Sequence, residues 1–269
     1  MSPIPTATQP GTRTRPGAHT RIDPRIRQRR VEVKRRQGRR RLRLLLTGLS
    51  VLTVAGIAWT VLHSGLFAAG RITVVGSPHT PAAAVIGAAG LSDHPPLLDV
   101  GPGATAGVER LPWVRRATVD VQWPDGVRIN VVERQPAAVV QVPSGWAVVD
   151  GSGHVLADAA SAPAGLPHLV GGGTPGAPGS VVPGDKGGLA VASTLPPAFA
   201  GQVTEVDQVP GGQVDLHLSS PVTVDLGATS QLHQKYEDVA AILAGATLQA
   251  GDVVDVAVPG APVVHASAG

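Results

Sequence analysis

Val114-Arg-Arg-Ala-Thr-Val-Asp-Val-Gln-Trp-Pro-Asp-Gly-Val-Arg-Ile-Asn-Val-Val132 is the clearest β signal in this 269-residue chain. Val114, Ala117, Val119 and Val121 assign one strand, Trp123-Pro124-Asp125-Gly126 a turn, and Val127, Ile129, Val131 and Val132 the return strand. Asp-Gly between two Val/Ile-rich runs marks a hairpin, because both turn residues tolerate the backbone angles that match strand twist. Upstream, Arg71-Ile72-Thr73-Val74-Val75-Gly76 alternates and stops at Gly-Ser-Pro, a short strand and then a turn. Thr80 and Pro81 open an Ala-rich helix to Ala89, with Thr80 as N-cap, Pro81 at the first helical position and Gly90 as the stop. After Leu97-Leu98-Asp99-Val100, residues 103–110 predict a second short helix that ends before Leu111-Pro112. Strand, helix, helix, strand, strand over residues 70–136 implies two helices on one face of a three-stranded sheet.

Downstream, residues 137–265 read as a second unit built mostly of strands. Ala137–Val142 and Trp146–Val149 flank Pro143-Ser144-Gly145, and Asp150-Gly-Ser-Gly153 turns the chain into His154-Val155-Leu156. The Gly- and Pro-rich stretch 171–180 is a surface loop. Leu189–Leu195 reads as helical before the Pro196-Pro197 break, followed by strands at Val203–Val209, Val214–Leu218 and Val222–Leu226. Val214, Leu216 and Leu218 alternate with Asp215 and His217, the pattern of a sheet wet on one face. Thr229–Ala244 is helical: Leu232, Tyr236, Val239, Ala240 and Leu243 recur at spacings of three and four, with Gly245 as cap. Val253–Val258 then makes a last strand.

On the N-terminal side, residues 44–62 carry no charge. Nineteen helical residues rise about 28 Å, close to the ~30 Å hydrocarbon core of a bilayer. Lys34, Arg35, Arg36, Arg39, Arg40, Arg41 and Arg43 precede this run. Basic residues beside a span stay cytoplasmic, which places the N-terminus inside and everything after His63 outside. Residues 1–43 hold 14 of the 22 Lys and Arg and two acids, whereas residues 44–269 hold 8 bases and 17 acids. A cleaved signal peptide would have a shorter apolar core at the very start, so the segment reads as a retained anchor. The basic tail, without an aromatic or a periodic core, reads as disordered and topology-setting rather than nucleic-acid-binding. The expected architecture is α+β: one transmembrane helix (44–63) after a basic tail (1–43), a β-α-α-β-β domain (70–136), and a mostly-β domain (137–265) with a helix near its C-terminus.

Little in the chain has the pattern of reaction chemistry. Hydrophobic residues make up 43% and aromatics only 3%, so Val and Ala carry the packing. There is no Cys, which excludes disulfides, thiolate metal sites and cysteine nucleophiles. None of the nine His has a metal-type spacing partner. Asp150-Gly-Ser-Gly-His154 places Asp, Ser and His together, yet a triad is assembled from distant segments, and this run reads as a turn. Gly101–Gly107 departs from dinucleotide spacing, and a calcium-loop ladder is absent. No catalytic residue, metal or cofactor is expected.

Leu111-Pro112-Trp113-Val114, Val119-Asp120-Val121-Gln122-Trp123-Pro124 and Ile129-Asn130-Val131-Val132-Glu133-Arg134-Gln135-Pro136 together resemble the signature of the FtsQ/DivIB family of bacterial division proteins. Arg71–Gly76 resembles the strand that opens that family's POTRA domain, and Trp146–Gly153 the hairpin that opens its β domain. Lys235–Leu243 followed by Val254-Asp255-Val256 resembles its last helix and late strand. The resemblance implies a non-enzymatic, single-pass protein that binds FtsB-like and FtsL-like partners and helps assemble septal cell-wall synthesis, concentrated at the division septum. It implies a POTRA domain associated with localisation, and a partner segment added to a sheet edge at the far end of the β domain. Carried onto this chain, that edge is Val254, Val256, Val258 and the stretch Gly260, Pro262, Val263 and Val264, with Tyr236 on the supporting helix. Prolines stand there where some relatives carry aromatics, and Pro removes ladder donors. The residues alone also read Val254, Val256 and Val258 as core, Glu133 and Arg134 as a structural ion pair or interdomain contact, and Trp113 and Trp123 as packing. Two other functions remain open at this point: an anchored extracytoplasmic wall-modifying enzyme, and a membrane-tethered DNA-binding protein acting through the basic tail. A small-molecule substrate is not expected.

Overall fold

Helix α1 (Pro24–Leu62) begins the described part of the chain. The computed structural model describes residues 24–184 and 186–266, with side chains from residue 41 onward except at residue 198. Arg35, Arg36, Arg39 and Arg40 therefore have no described side chains, whereas Arg41 and Arg43 are exposed on α1. Arg41–Leu62 is long and apolar enough to cross a membrane, with a mean hydropathy of 2.0. Within it the hydroxyls of Thr47, Thr53 and Thr60 donate to the carbonyls of Arg43, Leu49 and Gly56, one turn back, so these three hydroxyls are satisfied inside the helix. Residues 24–43, expected to lack order, instead continue the same helix. Arg, Lys, Gln and Glu are good helix formers, and an existing helix removes the cost of nucleation. Residues 1–23 of that tail lie outside the described residues.

After α1 come β1 (Arg71–Val75), α2 (Ala82–Ala88), α3 (Pro102–Val108), β2 (Val114–Gln122) and β3 (Gly126–Glu133). The sheet order is β1-β3-β2, with β1 parallel to β3 and β2 antiparallel to it. Val85, Leu91, Leu97, Val108, Val114, Val127 and Ile129 fill the core between helices and sheet. Val114 and Ala117 share the buried face despite their odd spacing, because the register shifts between Val114 and Arg116. Gly107 lets α3 approach α2, since a Cβ there would collide with the Ala88 carbonyl. Gly90, with φ +70°, ends α2: its N–H donates to Gly87 O and that of Leu91 to Ile86 O.

Two local expectations are corrected here. The hairpin loop is Trp123-Pro124-Asp125, and Gly126 already pairs with Gln122 in β3, so Asp-Gly does not form the turn. Thr80 does not cap α2, which starts one residue later than expected. Pro81 has an extended ψ of 136°, so it takes the cap position itself and the helix starts after it, while the Glu133 carboxylate accepts the Thr80 N–H at 2.9 Å. The Thr80 hydroxyl is buried with no hydrogen-bond partner among the described residues.

The second sheet has nine strands in the order β12-β11-β10-β9-β8-β7-β4-β5-β6. In chain order they are β4 (Pro136–Val142), β5 (Gly145–Asp150), β6 (Val155–Ala159), β7 (His168–Val170), β8 (Val203–Val209), β9 (Gln213–Leu218), β10 (Thr223–Ala228), β11 (Val253–Asp255) and β12 (Val263–His265). Helices α4 (Lys186–Thr194) and α5 (Pro197–Ala200) fall between β7 and β8, and α6 (Leu232–Gly245) between β10 and β11. Val191, Phe199, Tyr236 and Val239 from the helices join Ala138, Val149, Val206, Leu216 and Val224 from the sheet in one core. Val139, Val148 and Leu156 form a smaller cluster with Trp113 and Trp146 packed against it. Strand β4 is thus buried on both faces, which suits its unbroken Ala-Ala-Val-Val run. Further boundaries differ from expectation, among them α4, which runs from Lys186 to Thr194 rather than from Leu189 to Leu195. Helix α6 starts at Leu232 and passes through Gly245, leaving Ala246 as the extended cap; Ala240 is exposed. The expected strand Val253–Val258 stops at Asp255, and β12 follows as a separate strand.

Candidate functional site

The extra strand after that early stop decides where the sheet ends. Val258, Pro259, Gly260 and Ala261 make a turn, with Gly260 at φ +75° and the Ala261 N–H donating to Val258 O at 3.3 Å. The Gly260 N–H donates to Asp238 Oδ2 on α6 at 2.8 Å, tying the turn to the helix. The chain then returns as β12, antiparallel to β11. Strand β11 therefore has neighbours on both sides, and β12 is the edge.

This places the candidate contact residues in two groups. Val254 and Val256 are core, and Val256 N–H donates to Asp225 O. Tyr236 is core as well: its ring meets Phe199 edge-on at 5.6 Å, its hydroxyl donates to Val191 O, and Thr194 Oγ1 lies 3.0 Å away. Burial pushes the Tyr236 phenol above its ordinary pKa, against the hydrogen bond with Thr194. Val258 (64% exposed), Gly260, Pro262, Val263 and Val264 stand on the surface. Alternation along Val253–Val258 could not separate these groups, because it takes the turn at Pro259-Gly260 to show where the strand reverses.

Beside the edge lies a feature that single-strand reading did not show. Asp207, Asp215, Asp225 and Asp255 are directly paired from β8 to β11, and Asp255 in turn pairs with Val263 of β12. Like charges in direct register repel. Burial, then the charges of Asp225 and Asp207, push the Asp215 carboxyl above its ordinary range, and His217 only partly offsets them. Asp225 and Asp255 find compensation in the backbone N–H groups of Gly227 and Ala257, at 2.7 and 2.9 Å. Residues 137–269 contain eleven acids, two Lys and no Arg. One of those two is Lys235, 1% exposed, whose Nζ donates to Leu226 O at 2.7 Å and Ala228 O at 2.6 Å. Burial lowers its pKa, while Asp225 and Asp255 pull the other way. The helical spacing pointed to Tyr236 and Val239 but gave no reason to bury a lysine.

The family-like residues before β4 meet at the seam between the two sheets. Glu133 does not pair with Arg134. Its carboxylate accepts the N–H groups of His79 and Thr80 and lies 2.8 Å from His79 Nδ1, while His79 stacks on Trp113 at 4.4 Å. Burial pushes the Glu133 carboxyl up, but the bonds from His79 and Thr80 outweigh it and hold it below the ordinary carboxylate range. Arg134 instead crosses to the second sheet, where its Nη1 donates to Asp150 Oδ2 at 2.9 Å. Asp150 Oδ1 accepts from the N–H and hydroxyl of Ser152 and the N–H of His154. Burial raises the Asp150 carboxyl, and the bonds from Ser152, His154 and Arg134 together bring it below its ordinary range. A cavity of about 670 Å³ opens beside this pair, lined by Ser193, Leu166 and Leu195 among others. A triad needs the imidazole between hydroxyl and carboxylate. Here the Ser152 hydroxyl donates to Asp150 at 2.7 Å and lies 3.0 Å from His154 Nδ1, while that nitrogen stands 3.8 Å from the carboxylate, so the imidazole does not bridge hydroxyl and carboxylate and the group locks the turn.

Two family models match the chain in the order of its two sheets: POTRA domain, FtsQ-type, over residues 67–134, and Cell division protein FtsQ/DivIB, C-terminal, over residues 138–257. The chain belongs to the FtsQ/DivIB family. The match to the C-terminal model stops before β12, so the open edge lies beyond it. Cell division protein FtsQ of Mycobacterium leprae is 31% identical over 195 residues, covering 72% of this chain and 54% of that protein. FtsQ of Mycolicibacterium smegmatis is 31% identical over 219 residues, covering 80% of this chain and 62% of that protein. The chain thus spans between half and two thirds of these FtsQ relatives. The extracytoplasmic domain of DivIB from Geobacillus stearothermophilus aligns over 42% of this chain and 92% of its own, at 22% identity and a TM-score of 0.32.

Proposed function

We propose that this chain is a membrane-anchored, non-enzymatic cell-division protein that binds FtsB-like and FtsL-like partners and helps assemble septal cell-wall synthesis. In this reading residues 1–43 are cytoplasmic, 44–63 span the membrane, and 70–136 and 137–265 are two extracytoplasmic domains. Arg35, Arg36, Arg39, Arg40, Arg41 and Arg43 hold the inner end in the cytosol. Membership of a division family and one apolar helix support the anchor and the process.

The observation that carries the partner contact is the β12 edge, unpaired among the described residues, with Val258, Val263 and Val264 exposed beside it. An open hydrophobic edge invites another strand, and natural proteins cover or blunt such edges. A partner segment adds to β12, main-chain bonds supplying affinity and alternate side chains selectivity. Val254, Val256 and Tyr236 support this edge from inside. The test is binding of an FtsB-like peptide to the full chain in lipid nanodiscs, measured for the parent and for Val264→Asp. Affinity lowered about tenfold, or ~1.4 kcal/mol, supports the edge; unchanged affinity removes it. A fluorescent fusion that fails to collect at septa would sink the division role itself.

A further inference from the structure

The parallel pairing of β1 with β3, Arg71 opposite Gly126, forces the start of β1 and the β2–β3 loop to the same end of the first sheet. The residues just before β1 are fixed there. Ala69 is fully buried, its N–H donates to Pro95 O at 3.0 Å, and its carbonyl lies 2.6 Å from His94 Nδ1. Phe67 is consequently held against the loop, with its ring 5.7 Å from that of Trp123. Leu66 is 73% exposed and Trp123 52% exposed, and Pro124 beside it is exposed too. At the rim, Arg71 Nη2 lies 2.6 Å from Asp125 Oδ1, with most of the arginine side chain in solvent.

The occupant of this apolar tip follows from where it sits on the chain. Helix α1 ends at Leu62, four residues before Leu66. Four residues reach at most about 14 Å, and the headgroup layer on each side of the hydrocarbon core is roughly 5–7 Å deep. An indole with an apolar body and a polar N–H suits that layer, as does a neighbouring guanidinium that meets phosphates. We propose that Leu66, Phe67 and Trp123 seat in the headgroup layer of the leaflet from which α1 emerges, giving the first outer domain a second lipid contact and a set orientation on the membrane. This rests on the reading of α1 as a membrane span.

The absence of Cys makes every introduced cysteine unique. The full chain in liposomes is labelled with an environment-sensitive NBD dye at Gln122→Cys, Val263→Cys or Ile57→Cys, and lipid-borne nitroxides quench it. With the nitroxide near the headgroup, the Gln122 label is quenched several-fold more than the Val263 label, and adding Trp123→Asp lowers it to the Val263 level. Equal quenching at Gln122 and Val263, or quenching at Gln122 that survives Trp123→Asp, overturns the proposal. The Ile57 label reports the span separately, through nitroxides deep in the acyl chains. Quenching at Ile57 without excess at Gln122 rejects the tip contact and leaves the anchor standing. No quenching at Ile57 rejects the anchor and the tip contact together.

Discussion

The nine-stranded sheet is finished differently at its two ends. At the start of β6 the end of the Gly- and Pro-rich stretch and the residues just after it pair with the chain: Val155 N–H donates to Ser180 O, Gly179 N–H to Val155 O, and Val182 N–H to Gly153 O. Val182 plugs this cover into the main core, and the Asp150 turn that leads into β6 is locked by Arg134 from the first sheet. At β12 no further strand follows among the described residues, and Val263 and Val264 are exposed. One edge is covered at its start by the protein's own chain, and the other is the one proposed to take a partner. The same physics, unsatisfied ladder groups beside apolar side chains, is resolved internally at one end and left available at the other.

If the closed end is structural, changes there cost folding stability. Arg134→Ala leaves the buried Asp150 carboxylate without its cation and is expected to cost about 3 kcal/mol, read from the urea midpoint. Val182→Ala empties part of the plug beneath the cover, with an expected loss of about 2 kcal/mol. If it costs nothing, the loop does not close β6. At the open end the expectation reverses. Val263→Gln, which adds no charge opposite Asp255, leaves stability within about 0.5 kcal/mol of the parent, as surface changes do, and acts on partner binding instead. A large loss of stability would show that β12 is part of the fold's own support.

The smallest expected effect lies between the ends. Asp215→Asn relieves the central repulsion of the aspartate row and is expected to stabilise by about 0.5 kcal/mol at neutral pH. Because the Asp215 carboxyl titrates above its ordinary range when folded, this gain shrinks as pH falls through that raised range and the parent protonates. Asp150 and Glu133 behave oppositely. Their folded pKa values are depressed, so their stabilisation is present above the ordinary carboxylate range near pH 4 and is lost as pH falls through the depressed values. Acid titration of the parent against Asp150→Asn separates the two behaviours: the variant should lose less stability on acidification.

Much of this was legible along the chain. The hairpin, the β-α-α-β-β order, the wet and dry faces of β9 and the apolar span all follow from periods of two or 3.6, which depend only on neighbouring residues. The bulge near Arg116 was foreshadowed by the odd spacing of Val114 and Ala117. The two-sided partnering of Glu133 and Arg134 was not, since nothing in adjacent charges says that one reaches His79 and the other Asp150.

The linear order of apolar, charged and turn residues determined which segments become strands and helices, where the chain is oily enough for a membrane, and to which family it belongs. Register, edge and burial were decided in three dimensions. Which strand ends the sheet, which aspartates face one another and why Lys235 is enclosed depend on residues far apart in sequence, because a ladder pairs whatever the topology brings alongside.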